Sequence, residues 1–121
     1  MADSKGSSNQ PVVSSMRRAG DAAVAVLRGE IDLHNSPQVR NALLKFLDDT
    51  KPAKLVLNLG EVPYMDSSAI AVLVETLQKM RKTGGKVYLT NLQPRVKGLL
   101  EIARLDSIFG VVPTEADALA K

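Results

Sequence analysis

From Val12 onward the chain alternates between short apolar runs and stretches whose apolar residues recur at helical spacing. Val12 to Met16 reads as a first strand, and the polar stretch Arg17 to Asp21 as the turn behind it. Ala22 to Leu27 (A-A-V-A-V-L) is an apolar run of strand length, closed by Gly29. Ser36-Pro37 then has the chemistry of a helix start, because serine accepts hydrogen bonds from open amides at an N-cap and proline suits the first helical position. Val39, Ala42, Leu43, Phe46 and Leu47 follow at helical spacing, and Pro52 stops the segment. Lys54 to Leu59 carries L-V-L-N-L, apolar enough for a central strand. Ile70, Leu73, Val74 and Leu77 mark a second helix that the Gly84-Gly85 pair terminates. Val87 to Leu89 is a further strand, and Pro94 opens a third helix through Val96, Leu99, Leu100 and Ala103. Phe109 to Val112 is a last short strand, followed by a helix over Glu115 to Ala120 that Thr114 caps.

Strand–helix alternation of this kind predicts an α/β fold with right-handed crossovers. The expected sheet has four or five strands, mostly parallel, with an antiparallel N-terminal strand and three to four helices. Residues 1–10, rich in Ser, Gly and Asn, read as a disordered tail, and 11–121 as one domain. In such a sheet the loops that leave the carboxyl ends of the strands gather on one edge, where binding sites form. Three segments qualify: Gly29 to Asn35, Gly60 to Asp66, and Asn91 to Gln93. Topology alone therefore places Asp32 and Ser67 on the same edge.

Composition narrows the chemistry. A chain of 121 residues has room for one domain, and with two Phe, two Tyr and no Trp its core must be aliphatic. The absence of cysteine excludes disulfides and thiolate metal sites, and one histidine without clustered carboxylates argues against any metal. No glycine loop of phosphate-cradling pattern is present, so no cofactor is expected. No apolar stretch approaches the roughly 20 residues that span a bilayer, and the polar N-terminus lacks a signal peptide's apolar centre. A soluble, cytoplasmic protein, monomeric when free, is the expectation. The formal charge of +3 could suggest nucleic acid or anionic membrane. Its dense part, Lys79, Arg81, Lys82 and Lys86, falls instead at a helix end, where cations complement the dipole. The chain also lacks the aromatic platforms of single-strand binders. Neither nucleic acid nor membrane is an expected partner.

The loop Tyr64-Met65-Asp66-Ser67-Ser68 runs straight into the second helix. Either Asp66 or Ser67 can cap that helix, and a serine at a helix N-terminus is accessible to solvent. A phosphate added there would meet the dipole and open amides. Asp32, read on its own, is a turn residue that caps locally. Ser67, His34 and Asp32 supply the residue types of a hydrolytic triad. A nucleophile elbow, however, wants glycine on both sides of its serine, and Met65 and Ala69 stand in those places. No catalytic residue is expected.

The segment L-V-L-N-L-G-E-V-P-Y-M-D-S-S-A-I-A-V-L, Leu55 to Leu73, resembles the signature of STAS domains of bacterial anti-sigma factor antagonists. G-E-I-D at Gly29 to Asp32 and G-G-K-V at Gly84 to Val87 match two further elements of that family, in its order and spacing, so the likeness runs from Gly29 to about Ile108. The resemblance implies a STAS-like fold and a partner switch. The unphosphorylated protein would bind an anti-sigma factor that is also a serine kinase. Phosphorylation of the serine after the aspartate, which falls on Ser67, would inactivate it, and a serine phosphatase would reverse this. The aspartate that family members need near the phosphoserine falls on Asp32. Asp32, Asp66, Ser67 and Ser68, with Val72, Glu75 and Thr76 as outward residues of the second helix, then form the expected partner-binding surface. The alternative is a STAS subunit that binds constitutively in a transport or signalling complex. One departure stands out: Ala69 occupies a position where the family usually has glycine, and its methyl group could alter how a kinase meets the helix.

Overall fold

The two apolar runs of the sequence become neighbouring central strands of a five-stranded sheet in the computed structural model, which describes residues 11–121. In chain order the strands are β1 (Val13–Ala19), β2 (Ala22–Arg28), β3 (Lys54–Glu61), β4 (Lys86–Thr90) and β5 (Gly110–Val112). The helices are α1 (Ser36–Thr50), α2 (Ser67–Arg81), α3 (Pro94–Ile102) and α4 (Glu115–Leu119). Spatial order equals chain order, β1-β2-β3-β4-β5. The β1–β2 pair is antiparallel and the other three pairs are parallel. The expected tail over residues 1–10 lies outside the described residues.

The first strand is longer than its apolar content suggests. Arg17, Arg18 and Ala19 continue β1 and pair with Val24, Ala23 and Ala22, so the turn shrinks to Gly20-Asp21. Gly20 has φ +66, which a glycine adopts at no steric cost in a two-residue hairpin. Polar side chains are tolerated because β1 is an edge strand, with Ser15 to Arg18 exposed.

With strands laid down in order and crossovers of one hand, α1, α2 and α3 must share one face. Their apolar stripes do meet there. Val39, Leu43 and Leu47 of α1, Leu73, Leu77 and Met80 of α2, and Val96 and Leu100 of α3 pack with Ala23, Ala25, Leu27, Leu55, Leu57, Leu59, Val87 and Leu89. The alternate residues Val24 and Val56 face the other way and are covered by Ala118 of α4. Burial on both faces explains why β2 and β3 read as near-continuous apolar runs. The short α4 is held from three sides. Glu115 pairs with Arg17 at 2.7 Å and accepts from Asn58 Nδ2 at 2.6 Å, and Lys54 Nζ donates to the carbonyls of Ala118 and Leu119 at 2.9 and 3.2 Å.

α1 and α2 lie side by side, bridged by a bidentate Arg40–Glu75 pair at 2.7 and 2.6 Å and by Lys79–Asp48 at 2.6 Å. Gly85 ends the α2–β4 turn at a tight place: a Cβ there would fall 3.2 Å from the Met80 carbonyl oxygen and 3.3 Å from that of Ala53, and would push the Met80 methyl group aside. Among the described residues no helix is long and apolar enough to cross a membrane.

Leu57 sits at the middle of β3 with 0% exposure. Leu57→Ala should lower the unfolding free energy by about 2–5 kcal/mol, as a buried leucine truncated in a core that cannot collapse does. Leu33→Ala, at a side chain 74% exposed, should leave it unchanged. Urea denaturation of both variants checks the contrast.

Candidate functional site at the carboxyl edge of the sheet

The loops leaving β2 and β3 stay paired after the strands end. Gly29 N–H donates to the Glu61 carbonyl at 2.8 Å, Ile31 N–H to Tyr64 at 3.1 Å, and Asp66 N–H to Ile31 at 3.1 Å. Ile31 and Met65 thus form an isolated parallel bridge, and both side chains are buried. The third loop is tied in by Gln93 Nε2, which donates to the Gly60 carbonyl at 2.9 Å. At the start of α3, the Arg95 guanidinium lies 4.7 Å from the centre of the Tyr64 ring. The three segments picked out by topology therefore converge on one edge.

α2 begins at Ser67 with Asp66 as its N-cap. Asp66 Oδ1 accepts from the backbone N–H of Ser68 at 2.9 Å, from the Ser68 hydroxyl at 2.5 Å, and from the Ala69 N–H at 3.4 Å. Its other oxygen, Oδ2, accepts from the N–H of Leu33 at 3.0 Å, across the gap between the two loops. Ser67 is exposed and Ser68 half-buried. Asp32, half-buried, caps its own turn: Oδ1 accepts from the N–H groups of His34 at 2.9 Å and Asn35 at 3.2 Å. Asn35 returns the bond, accepting from Asp32 N–H at 2.9 Å and donating to the Glu30 carbonyl at 2.9 Å. Leu33 is held out of this rigid turn with its side chain 74% exposed.

The STAS domain family matches residues 14–118. The chain is 34% identical to the anti-sigma-B factor antagonist of Bacillus subtilis over 85 residues, 70% of this chain and 76% of that protein. It belongs to the STAS domain family, among the anti-sigma factor antagonists. An anti-sigma factor antagonist from Mycobacterium paratuberculosis superposes with a TM-score of 0.79 at 26% identity, over 88% of this chain and 89% of that one. The Bacillus cell-fate determinant SpoIIAA in its phosphorylated form shares the fold with a TM-score of 0.69 at 20% identity, over 88% of this chain and 96% of its own.

Several side chains of this STAS domain stand otherwise than the sequence suggests. Val72 and Thr76 are not outward residues: they are 6% and 0% exposed. α2 is packed against the sheet and also against α1, so its buried stripe widens to Ala69, Val72, Leu73, Thr76, Leu77 and Met80. Thr76 is buried without loss because its hydroxyl donates to the Val72 carbonyl at 2.8 Å. Ser67, Ala71, Gln78 and Arg81 are the exposed residues on this helix, with Val74 and Glu75 half-buried. Ala69 is 2% exposed with its methyl group in the core, so the departure from glycine leaves the outer surface unchanged. The helix that follows Asp32 is not capped by Ser36. Asn35 holds the N-cap position without a side-chain bond, and Ser36 is a buried first residue with Pro37 behind it. Two of the amides at the start of α2 are not open either, since Asp66 already occupies those of Ser68 and Ala69.

The Ser68 hydroxyl is the main reason that the Asp66 carboxyl is held below its ordinary value, with the N–H groups of Ser68, Ala69 and Leu33 adding to the effect and partial burial opposing it. A carboxylate whose folded pKa is depressed contributes stability that is present above its unfolded value and lost as pH falls through the folded one. Asp66→Asn should therefore be less stable than wild type at neutral pH, and the gap should close on acidification below about pH 4. Thermal unfolding of both proteins from pH 7 to pH 2.5 measures it; a constant gap would contradict the assignment.

Proposed function

We propose that this STAS domain works as an anti-sigma factor antagonist whose unphosphorylated form binds an anti-sigma factor serine kinase, and that phosphorylation of Ser67 ends the binding. Family members of this kind are binding regulators, not enzymes. The observation that carries the reading is the placement of Ser67: exposed, first in α2, on an edge where two loops are locked together. A relative of the same fold, SpoIIAA, exists in a phosphorylated form. A serine phosphatase would reset the switch.

The surface offered to the kinase is the edge around Ser67. Asp32, Asp66 and Ser68 set its shape, Leu33 is the apolar side chain presented beside them, and Ala71 and Glu75 continue it along α2. A side chain held out on a loop with little freedom to lose is well suited to anchor an interface. The mechanism is electrostatic. A phosphoserine carries about −1.5 to −2 charges at neutral pH. At Ser67 that charge would stand next to Asp66, whose carboxylate has already taken the amides of Ser68 and Ala69. The dianion would enter the interface uncompensated. Such a group typically costs about 2–5 kcal/mol, where roughly 1.4 kcal/mol is tenfold in affinity.

Phosphorylation should thus weaken binding by about 30-fold or more. Ser67→Asp should show part of that loss, Ser67→Ala should keep the affinity, and Leu33→Ala should lose about tenfold, within the range of interface anchors. Calorimetric titration of each form against the kinase captured from native cells decides it. Equal affinity of the phosphorylated and unphosphorylated forms would end the switch reading.

A further inference from the structure

Two serines stand side by side at the start of α2, and the chain must present one of them. We propose that Asp66 is the positioning residue that selects Ser67 as the phosphate acceptor by engaging the hydroxyl of Ser68. The inference rests on the phosphorylation reading and adds to it the reason for the choice of site.

In the transfer itself, a serine Oγ forms a bond to the γ-phosphorus of ATP, the bond from that phosphorus to the β–γ bridging oxygen breaks, and ADP leaves. The hydroxyl proton passes to a base on the kinase. The attacking oxygen must therefore face the incoming nucleotide with a lone pair free, and its proton must point toward the kinase. Ser67 is exposed and can do both. Ser68 is half-buried, and its hydroxyl already donates, across an oxygen–oxygen distance of 2.5 Å, to Asp66 Oδ1. That oxygen cannot serve as the base in its place. It also accepts from the N–H groups of Ser68 and Ala69, and those bonds lower its affinity for a proton. To react, Ser68 has to break a hydrogen bond to a charged group and rotate outward, a loss of about ten- to hundredfold in the reactive population.

The same carboxylate keeps the edge in register while it does so. Its second oxygen holds the Leu33 N–H at 3.0 Å, so the occupied Ser68 and the presented Leu33 are parts of one hydrogen-bonded unit. Selection and presentation are therefore coupled through one side chain. Asp66→Ala releases the Ser68 hydroxyl and the Leu33 loop together, whereas Asp66→Asn keeps an acceptor of the same shape with a weaker hold.

The test is the distribution of phosphate between the two serines, mapped by mass spectrometry on the full chain recovered from its native cells. Wild type should carry at most about a tenth of its phosphate on Ser68, and Ser67→Ala should be phosphorylated at least about tenfold less than wild type. Asp66→Ala should carry it on both serines, with the Ser68 share raised at least tenfold, and Asp66→Asn should lie between. The double variant Ser67→Ala with Asp66→Ala should be phosphorylated on Ser68. A purely structural role for Asp66 would lower total phosphate without moving it between residues, and that result overturns the inference. So do comparable amounts of phosphate on the two serines of wild type, which leave the switch itself standing. No phosphate on either serine of wild type removes the phosphorylation reading and this inference with it. Should Asp66→Ala fail to fold, the wild-type amides of Leu33, Ser68 and Ala69 decide the matter by NMR. They should titrate together with one midpoint below the usual carboxylate range, and separate midpoints overturn the proposal.

Discussion

Two loops leave the sheet at the ends of β2 and β3, and the pairing between Ile31 and Met65 keeps them together beyond the last regular rung. Everything distinctive about the functional edge follows from that continuation. It buries Ile31 and Met65, which makes each loop part of the core rather than a free excursion. It then delivers Asp66 to a point where one carboxylate caps α2 on one side and meets the Leu33 N–H on the other. A helix cap is ordinarily local in sequence; this one is also a tertiary contact. A change to either loop is felt at the start of α2.

Much of this was legible beforehand. Strand–helix alternation yields the sheet, and the chemistry of Asp66-Ser67 locates the helix start to within one residue. The position of Asp32 as a local cap also follows from its residue type, and the bonds to His34 and Asn35 bear that out. What the chain does not display is any contact made by a backbone group at long range. The Leu33 N–H could be any amide, and nothing in the sequence marks it as the partner of Asp66. The direction of Val72 and Thr76 was hidden for a related reason. A helical stripe shows which residues face one surface, but α2 faces two, and only the neighbouring α1 reveals the second. The extra length of β1 escaped because an edge strand needs no apolar signature.

Charge is arranged along the same axis as the fold. The carboxyl edge of the sheet carries Glu30, Asp32 and Asp66, while the cations Lys79, Arg81, Lys82 and Lys86 gather at the far end of α2 and the start of β4. Those at the helix end complement its dipole, as the sequence suggested. That basic cluster thus stands a helix length away from Ser67 and lends little to a phosphate there, because surface charges beyond about 10 Å are largely screened at ordinary salt.

The order of the strands has a consequence for how the chain reaches this structure. Each strand pairs with the strand next to it in sequence, from the β1–β2 hairpin to β5. No pairing has to wait for a distant part of the chain, so every closure spans one turn or one crossover helix, and the entropy lost at each step stays small. A topology of that kind has low contact order for a parallel sheet and belongs with the faster folders of its class. It can grow by accretion, with each strand and helix pair docking on the edge left by the one before. The β2–β3 unit, which contributes the most deeply buried strands, is a natural place to begin, and its formation brings Ile31 beside Met65 at once.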